Sequence, residues 1–218
     1  MQMLDPIPFR LPRFYPILDT AALRRHKCES GIAARALLEA GVKILQYRHK
    51  SNWTQTHFDE AKAMAAMCQD AGVLFVLNDR ADYARLLGAA LHVGQEDLPP
   101  VAARRVIGDE VLGFSTHNRL QLTRANEEPV EYLSLGPIFS TQSKERPDPV
   151  VGLQGFRTLR ELTTKPLVAI GGITLENARH VLDVKADSLA VISGILPERG
   201  DAKSVRRRAE EWLKLTIA

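Results

Sequence analysis

Polar clusters follow five of the short apolar runs in this chain, and their residue types could hold phosphate groups. Cations, carboxylates and glycines that expose backbone N–H groups together suit a site that binds phosphates directly and through a divalent cation. In parallel β/α proteins, such groups lie where the strands end. The sequence therefore predicts a phosphate-binding site at the carboxyl edge of a sheet. The five clusters are built around Arg48, Asp79, Asp97, Gly172 and Ser193.

The cluster from Gln46 to Lys50 combines an amide with two cations. Because successive residues of an extended chain point to opposite faces, Gln46, Arg48 and Lys50 are expected on one side. A guanidinium can bind two phosphate oxygens at once, and an ammonium can neutralise a third. This pattern favours a polyphosphate ligand; the alternative is a pair of surface residues engaged in ordinary ion pairs.

Two carboxylates, Asp79 and Asp97, follow neighbouring apolar runs. In a barrel, adjacent strands would bring them close together, and Mg²⁺ accepts one or two protein carboxylates together with substrate phosphate oxygens. Capping of a helix by Asn78 or Asp79 is a common alternative. The pair predicts a magnesium site.

Glycines and a hydroxyl mark the last two loops. Gly171 and Gly172 follow one apolar run, and Ser193 with Gly194 follows the next. Backbone N–H groups in these two loops form the phosphate site of many (β/α)8 barrels, although such glycines also serve tight turns without a ligand. Ser115 stands close to His117 with no orienting acid and no nucleophile elbow, so it is expected to donate a hydrogen bond to an anion.

Eight apolar runs alternate with segments of helical spacing, which predicts a (β/α)8 TIM barrel rather than an open doubly wound sheet. One α/β domain is expected over 1–218, with 1–13 as an N-terminal extension. The irregular stretch 136–152 is long enough to be functional. The predicted strands are 14–18, 43–47, 73–77, 90–93, 111–114, 131–135, 167–170 and 188–192. The predicted helices are 31–40, 54–70, 99–107, 118–125, 153–162, 175–182 and 202–215.

Composition narrows the class of protein. The chain has 218 residues, 29 basic and 26 acidic, and a net charge of +3, so we expect small-molecule ligands and no nucleic-acid partner. The run Arg206-Arg207-Arg208 is read as a solvated helix face. No apolar run approaches the roughly 20 residues of a membrane span, and no secretory leader is evident. With Cys28 and Cys68 read as reduced thiols, a cytoplasmic protein is expected. The sequence leaves a homo-oligomer open.

Ordered motifs from about residue 15 to 195 resemble those of the thiamine-phosphate synthase family. Their joint order and spacing carry the resemblance. They are Gln46-x-Arg48-x-Lys50, Asn78-Asp79, His92-Val93-Gly94-Gln95-Glu96-Asp97, Gly113-Phe114-Ser115-Thr116-His117, Tyr132-Leu133-Ser134-Leu135-Gly136-Pro137-Ile138-Phe139, Thr141-x-Ser143-Lys144 and Ala169-Ile170-Gly171-Gly172-Ile173.

The resemblance implies a transferase that couples 4-amino-5-hydroxymethyl-2-methylpyrimidine diphosphate to 4-methyl-5-(2-phosphoethyl)thiazole, or its 2-carboxy form. The products would be thiamine phosphate and pyrophosphate. The implied catalytic residues are Arg48, Lys50 and Lys144, which would bind the diphosphate, and Ser115, which would contact the departing pyrophosphate. The other implied contacts are Gln46 and Asn78 with the pyrimidine, Thr141 and Ser143 with the thiazole, Gly172, Ile192 and Ser193 with its phosphate, and Asp79 and Asp97 with Mg²⁺.

Two positions depart from the family pattern. Ser143 stands where the family often has threonine, which keeps the hydroxyl, and Arg80 follows the metal-binding aspartate where other members vary. Neither change removes a charge that the reaction needs. Two other functions stay open: an aminopyrimidine thiazole isomerase-type relative, which Gln95, Asp97 and Lys144 argue against, and a non-catalytic barrel that binds a phosphate ligand.

Overall fold

Eight parallel strands close into a barrel in the computed structural model, which describes residues 9–141, 148–198 and 200–217. Each strand pairs with its neighbour in chain order, and the last pairs with the first through Phe14 and Leu189. This closure confirms the (β/α)8 barrel and excludes the open sheet. The strands are β1 Phe14–Asp19, β2 Ile44–Arg48, β3 Leu74–Asn78, β4 Ala90–Val93, β5 Leu112–Thr116, β6 Tyr132–Leu135, β7 Leu167–Ile170 and β8 Ser188–Val191.

Helices connect the strands along the outside of the barrel. Two of them, α1 and α4, have no counterpart among the predicted helices. The helices are α1 Thr20–Arg25, α2 Ser30–Ala40, α3 Gln55–Asp70, α4 Ala81–Leu87, α5 Pro100–Ile107, α6 Arg119–Ala125, α7 Gly152–Arg160, α8 Ala178–Asp183 and α9 Ala202–Ile217, with a 3₁₀ turn at Ser193–Ile195.

Apolar side chains fill the lower part of the barrel. Alternate residues of the strands point inward, as the two-residue period of a strand requires. Phe9 and Leu11, which precede β1, pack against this cluster, so apolar contacts close the amino-terminal end. The inward cluster comprises Tyr15, Ile17, Ile44, Val76, Ala90, Tyr132, Val168 and Ala190.

Trp212 on the last helix, α9, contacts both β1 and the loop that follows β8. The Trp212 side chain is fully buried and stacks on Phe14, with ring centroids 5.5 Å apart and an interplanar angle of 3°. Its indole Nε1 donates a hydrogen bond of 3.0 Å to the carbonyl oxygen of Gly194 in the loop after β8. Trp212 therefore positions that loop from below.

Three features that the composition singled out can be located in the structure: the arginines of α9, the two cysteines and the apolarity of the helices. Arg206 pairs with Glu210, and Arg208 pairs with Glu211, along the outer face of α9. Cys28 and Cys68 are free and buried. Among the helices that the structure describes, none has the length and apolarity to cross a bilayer.

Candidate active site

A lysine lies between two carboxylates at the carboxyl ends of β2, β3 and β4. Lys50 Nζ is 2.6 Å from Asp79 Oδ2 and 3.7 Å from Asp97 Oδ2. The backbone N–H of Gly94 donates to Asp97 Oδ2 at 2.7 Å and fixes that carboxylate. Asp79 has a left-handed backbone, with φ of 66°, a conformation that aspartate tolerates better than most residues. The three charged groups therefore converge as their spacing suggested.

The two carboxylates share a hydrogen bond, and their pKa values move apart. Burial and the hydrogen bond with Asp97 raise the pKa of Asp79 to about 6. Burial works against ionisation of Asp97 too, but its hydrogen bonds with Asp79 and Gly94 hold its pKa below the usual range. Two carboxylates held this close repel each other when both are ionised, and a cation relieves that repulsion.

Arg48 is held by a carboxylate that the sequence analysis did not single out. Its guanidinium pairs with Asp19 Oδ2 at the end of β1. Asp19 is buried, lies opposite Arg48 in the strand register, and also accepts a 2.9 Å hydrogen bond from the Ala22 N–H, which caps α1. Asp19 thus orients Arg48 at the rim of the barrel.

A buried amide at the end of β3 has an unused donor. Asn78 is 5% exposed, and its Nδ2 has no hydrogen-bond partner among the described residues. Gln46 is also buried, and its Nε2 donates to the hydroxyl of Tyr15 at 2.8 Å. Because buried polar groups are nearly always satisfied, the free amide hydrogens of Asn78 indicate a ligand that accepts hydrogen bonds.

Ser115 lies beside a neutral histidine that the sequence analysis did not assign to the site. Ser115 Oγ is 2.8 Å from His92 Nε2 and 3.1 Å from Ser134 Oγ. Burial lowers the pKa of His92 to about 4, so its ring is uncharged at neutral pH. His117, by contrast, turns to the loop after β6, where its Nδ1 is 2.7 Å from the Gly136 carbonyl oxygen. Among the described residues, the histidine that contacts Ser115 is hydrogen-bonded to Tyr132 rather than to a carboxylate, so it does not form a Ser–His–acid triad.

Arg80, the departure from the family pattern, points away from these groups. Its guanidinium lies 3.6 Å from the centroid of the Tyr83 ring, and its Nε donates to Asp82 Oδ1 at 2.8 Å. Its charge is already engaged, so this residue leaves the charge of the site unchanged.

Backbone groups form the opposite side of the mouth, in the loops after β6 and β7. Gly172 has φ of 66°, and a Cβ there would lie 2.6 Å from the Ser140 carbonyl oxygen, so only glycine fits. Phe139 N–H donates to the Gly171 carbonyl oxygen at 3.0 Å, and Asn177 Nδ2 donates to that of Gly172 at 2.9 Å. These contacts fix the Gly171-Gly172 turn before any ligand binds.

The loop after β8 completes that side. Ser193 is exposed at the start of the 3₁₀ turn, and Ile192 before it is half-buried. A Cβ on Gly194 would lie 2.8 Å from Val191 Cγ1 and 3.1 Å from the Ile173 carbonyl oxygen. Close packing therefore holds the loops after β7 and β8 against each other.

The loop after β6 carries the remaining predicted residues. Thr141 is half-buried and follows the segment that bonds to Gly171. Ser143 and Lys144, with the middle of the stretch 136–152, lie outside the described residues. Within the described ranges, no group of three or more His, Cys, Asp or Glu side chains could hold a metal ion without help from a ligand.

Known proteins resemble this chain along most of its length. A family model described as "Thiamine monophosphate synthase" matches residues 14–195. The "Thiamine-phosphate synthase" of Koribacter versatilis (strain Ellin345) is 44% identical over 210 residues, which cover 94% of this chain and 96% of the relative. That of Chloroflexus aurantiacus (strain ATCC 29366 / DSM 635 / J-10-fl) is 38% identical over 189 residues, or 84% and 85% of the two chains.

A solved structure agrees with both fold and family. The thiamine phosphate pyrophosphorylase from Pyrococcus furiosus superposes with a TM-score of 0.81 at 32% identity, covering 94% of this chain and 95% of the other. The extent of these matches establishes the kinship of the whole barrel. The chain belongs to the thiamine monophosphate synthase family.

Proposed function

We propose that the chain joins 4-amino-5-hydroxymethyl-2-methylpyrimidine diphosphate to 4-methyl-5-(2-phosphoethyl)thiazole, or its 2-carboxy form, as a step of thiamine biosynthesis. The products are thiamine phosphate and pyrophosphate; from the 2-carboxy form, the carboxyl group also leaves as carbon dioxide and a proton takes its place. The observation that carries this proposal is the convergence of Lys50, Asp79 and Asp97 beside the unused amide of Asn78, in a chain of this family.

The two sides of the mouth would take different parts of the substrates. On the charged side, a diphosphate would draw Arg48 and Lys50 from their carboxylate partners, and Lys50 is exposed enough to turn toward it. On the other side, backbone N–H groups suit a phosphate monoester. The proposed contacts are Arg48, Lys50, Lys144 and Ser115 with the diphosphate, Gln46 and Asn78 with the pyrimidine, Thr141 and Ser143 with the thiazole, and Gly172, Ile192 and Ser193 with its phosphate.

Asp79 and Asp97 would hold a Mg²⁺ ion beside the diphosphate. They face each other closely enough to share a hydrogen bond, and burial together with that hydrogen bond raises the pKa of Asp79. Mg²⁺ is usually bound by one or two protein carboxylates together with substrate phosphate oxygens and water, so two carboxylates are sufficient. When bound, the ion would supply positive charge against the diphosphate oxygens.

The reaction needs positioning and charge neutralisation rather than a covalent nucleophile. The bond between the pyrimidine methylene carbon and the diphosphate oxygen breaks, and pyrophosphate leaves with the electron pair. The electron-rich aminopyrimidine can stabilise the resulting cation until the thiazole nitrogen forms the new C–N bond. Arg48, Lys50 and Ser115 would stabilise the charge that grows on the pyrophosphate, and the barrel would hold the two rings together and exclude water.

The composition and the cysteines bear on the compartment and the partners of the enzyme. The near-balanced charge and the free, buried cysteines support one small-molecule enzyme domain in a reducing cytoplasm, without a nucleic-acid partner. A homo-oligomer is compatible with this proposal.

Formation of thiamine phosphate from the two substrates tests the proposal directly. The purified protein should release one pyrophosphate for each thiamine phosphate, and removal of Mg²⁺ by a chelator should abolish both. Asp97→Asn should lower the rate about 100-fold or more, since one removed electrostatic group commonly costs that much. The control is Asp109→Asn, an exposed aspartate before β5 at the other end of the barrel, which should keep the full rate.

If no thiamine phosphate forms, the assay distinguishes the two other functions. Binding of both substrates without product would indicate a phosphate-ligand-binding barrel. Conversion of an aminopyrimidine thiazole without pyrophosphate release would indicate the isomerase-type relative. Either result would overturn the synthase assignment.

A further inference from the structure

A continuous chain of hydrogen bonds crosses the barrel interior beneath the charged mouth. Gln46 Nε2 donates to the Tyr15 hydroxyl at 2.8 Å, and that hydroxyl is 2.8 Å from the hydroxyl of Tyr132. The Tyr132 hydroxyl is 3.1 Å from His92 Nδ1, and His92 Nε2 is 2.8 Å from Ser115 Oγ. The chain therefore links a residue of the proposed pyrimidine site to a residue of the proposed pyrophosphate site.

The number of available protons determines which group donates in each of these hydrogen bonds. A tyrosine hydroxyl carries one proton, and the Tyr15 oxygen already accepts the amide hydrogen of Gln46. Tyr15 therefore donates to Tyr132, and Tyr132 donates to His92 Nδ1. In the opposite direction Tyr15 would accept from both neighbours, and its own buried proton would have no acceptor in the chain.

The state of His92 extends this order to Ser115. A ring nitrogen that accepts a hydrogen bond carries no hydrogen of its own, so the hydrogen of the imidazole lies on the other nitrogen. With Nδ1 accepting from Tyr132, Nε2 carries the hydrogen and donates to Ser115 Oγ. The Ser115 hydroxyl proton then points away from His92, toward Ser134 or toward a ligand in the mouth.

A glycine in the middle of β5 provides the space for this contact. A Cβ on Gly113 would lie 2.1 Å from Tyr132 Cζ and 2.5 Å from His92 Nδ1. Glycine weakens a strand interior, so its presence here calls for a packing reason. The Tyr132–His92 hydrogen bond supplies that reason.

We infer that Tyr15, Tyr132 and His92 form a positioning relay, oriented by Gln46, that directs the Ser115 hydroxyl proton toward the departing pyrophosphate. The inference rests on the proposed function, in which Ser115 contacts that group. Tyr15, Tyr132 and His92 touch no substrate in this account, so they act through Ser115.

The tautomer of His92 tests the relay without any assay of activity. In the ¹⁵N-labelled, unliganded protein near neutral pH, a two-bond ¹H–¹⁵N correlation spectrum should show His92 with a protonated Nε2 and a bare Nδ1. Its signals are those that disappear in His92→Gln. A protonated Nδ1 would overturn the relay. This readout does not depend on activity. If the wild-type protein formed no thiamine phosphate, that result would refute the proposed function but not the relay.

Kinetics then test whether the relay acts through Ser115. Tyr132→Phe should lower kcat about tenfold, the equivalent of one lost hydrogen bond, and should leave KM for both substrates nearly unchanged. In a Ser115→Ala background, the same change should have no further effect. The matched control is Tyr47→Phe, a buried tyrosine whose hydroxyl donates to Glu60 on α3 at 2.8 Å. Equal losses in both backgrounds, or an equal loss in the control, would overturn the relay.

Discussion

The charged half of the barrel mouth, formed by the loops after β2, β3 and β4, presents side chains, whereas the loops after β7 and β8 present backbone. On the charged half, the groups that would meet a diphosphate already have partners: Lys50 pairs with Asp79, and Arg48 pairs with Asp19. On the other half, packing around Gly172 and Gly194 fixes the turns without charge. Binding on the first half therefore requires an exchange of partners, while the second is preformed.

The largest expected effect follows from removing the cation of the charged half. Lys50→Met should lower kcat/KM about 100- to 1,000-fold, because a preorganised charge near the leaving group would be lost. The stability should change far less, since Lys50 is exposed. The matched control is Lys185→Met, which removes the exposed pair of Lys185 with Glu161, 3.7 Å apart, and should leave the rate intact. Equal rates in the two variants would remove Lys50 from the proposed site.

The buried histidine under the charged half should control acid stability. Burial lowers the pKa of His92 to about 4 from an ordinary value of 6.5, so its contribution is present above pH 6.5 and is lost as the pH falls through 4. Between about pH 6.5 and 4.5, wild-type protein should lose about 2 kcal/mol more unfolding free energy than His92→Gln. Urea unfolding across this range measures the difference.

An exposed histidine provides the control for that measurement. His180→Gln on α8 should follow the wild-type curve, because its ring is exposed. Parallel curves for wild type and His92→Gln would show that His92 is not a neutral buried group.

Substitution in the preformed half should affect packing and ligand binding together. Gly172→Ala would impose a left-handed alanine, which costs about 1 kcal/mol, and a clash with Ser140. Gly41→Ala shares the positive φ, at 97°, but a Cβ there has no neighbour within 4 Å among the described residues. We expect Gly172→Ala to unfold more readily than Gly41→Ala and to raise KM for the thiazole phosphate about tenfold. Equal behaviour of the two would contradict a preformed turn at Gly172.

Local pattern predicts the strands because each buried strand is a short apolar run between polar loops. All eight predicted strands overlap the observed ones within two residues at each end, for example 90–93 and 167–170. The helices α1 and α4 are missed although the equally short α6 and α8 are predicted. Length is therefore not the reason; the caps of the missed helices resemble residues at strand ends or in loops. Asp19, at the start of α1, is itself such a cap.

Residues that meet across the barrel are harder to predict than residues in sequence motifs. The convergence of Lys50, Asp79 and Asp97 follows from strand order, because each lies just beyond the end of its strand. The contacts of Tyr15 with Tyr132, 117 residues away, depend on how side chains cross the interior. Strand alternation gives their inward direction, but only the closed geometry gives their partners.

The most direct test of two separate anion sites is a calorimetric titration of two variants with each substrate alone. Asn78→Ala should weaken pyrimidine diphosphate binding about tenfold or more and spare the thiazole phosphate, because the unused amide hydrogens of Asn78 would serve the pyrimidine. Ser193→Leu should do the reverse, since Ser193 is exposed at the backbone half. Two separate sites predict this crossed pattern; an equal loss of affinity for both substrates in either variant would merge the two sites and contradict their separation.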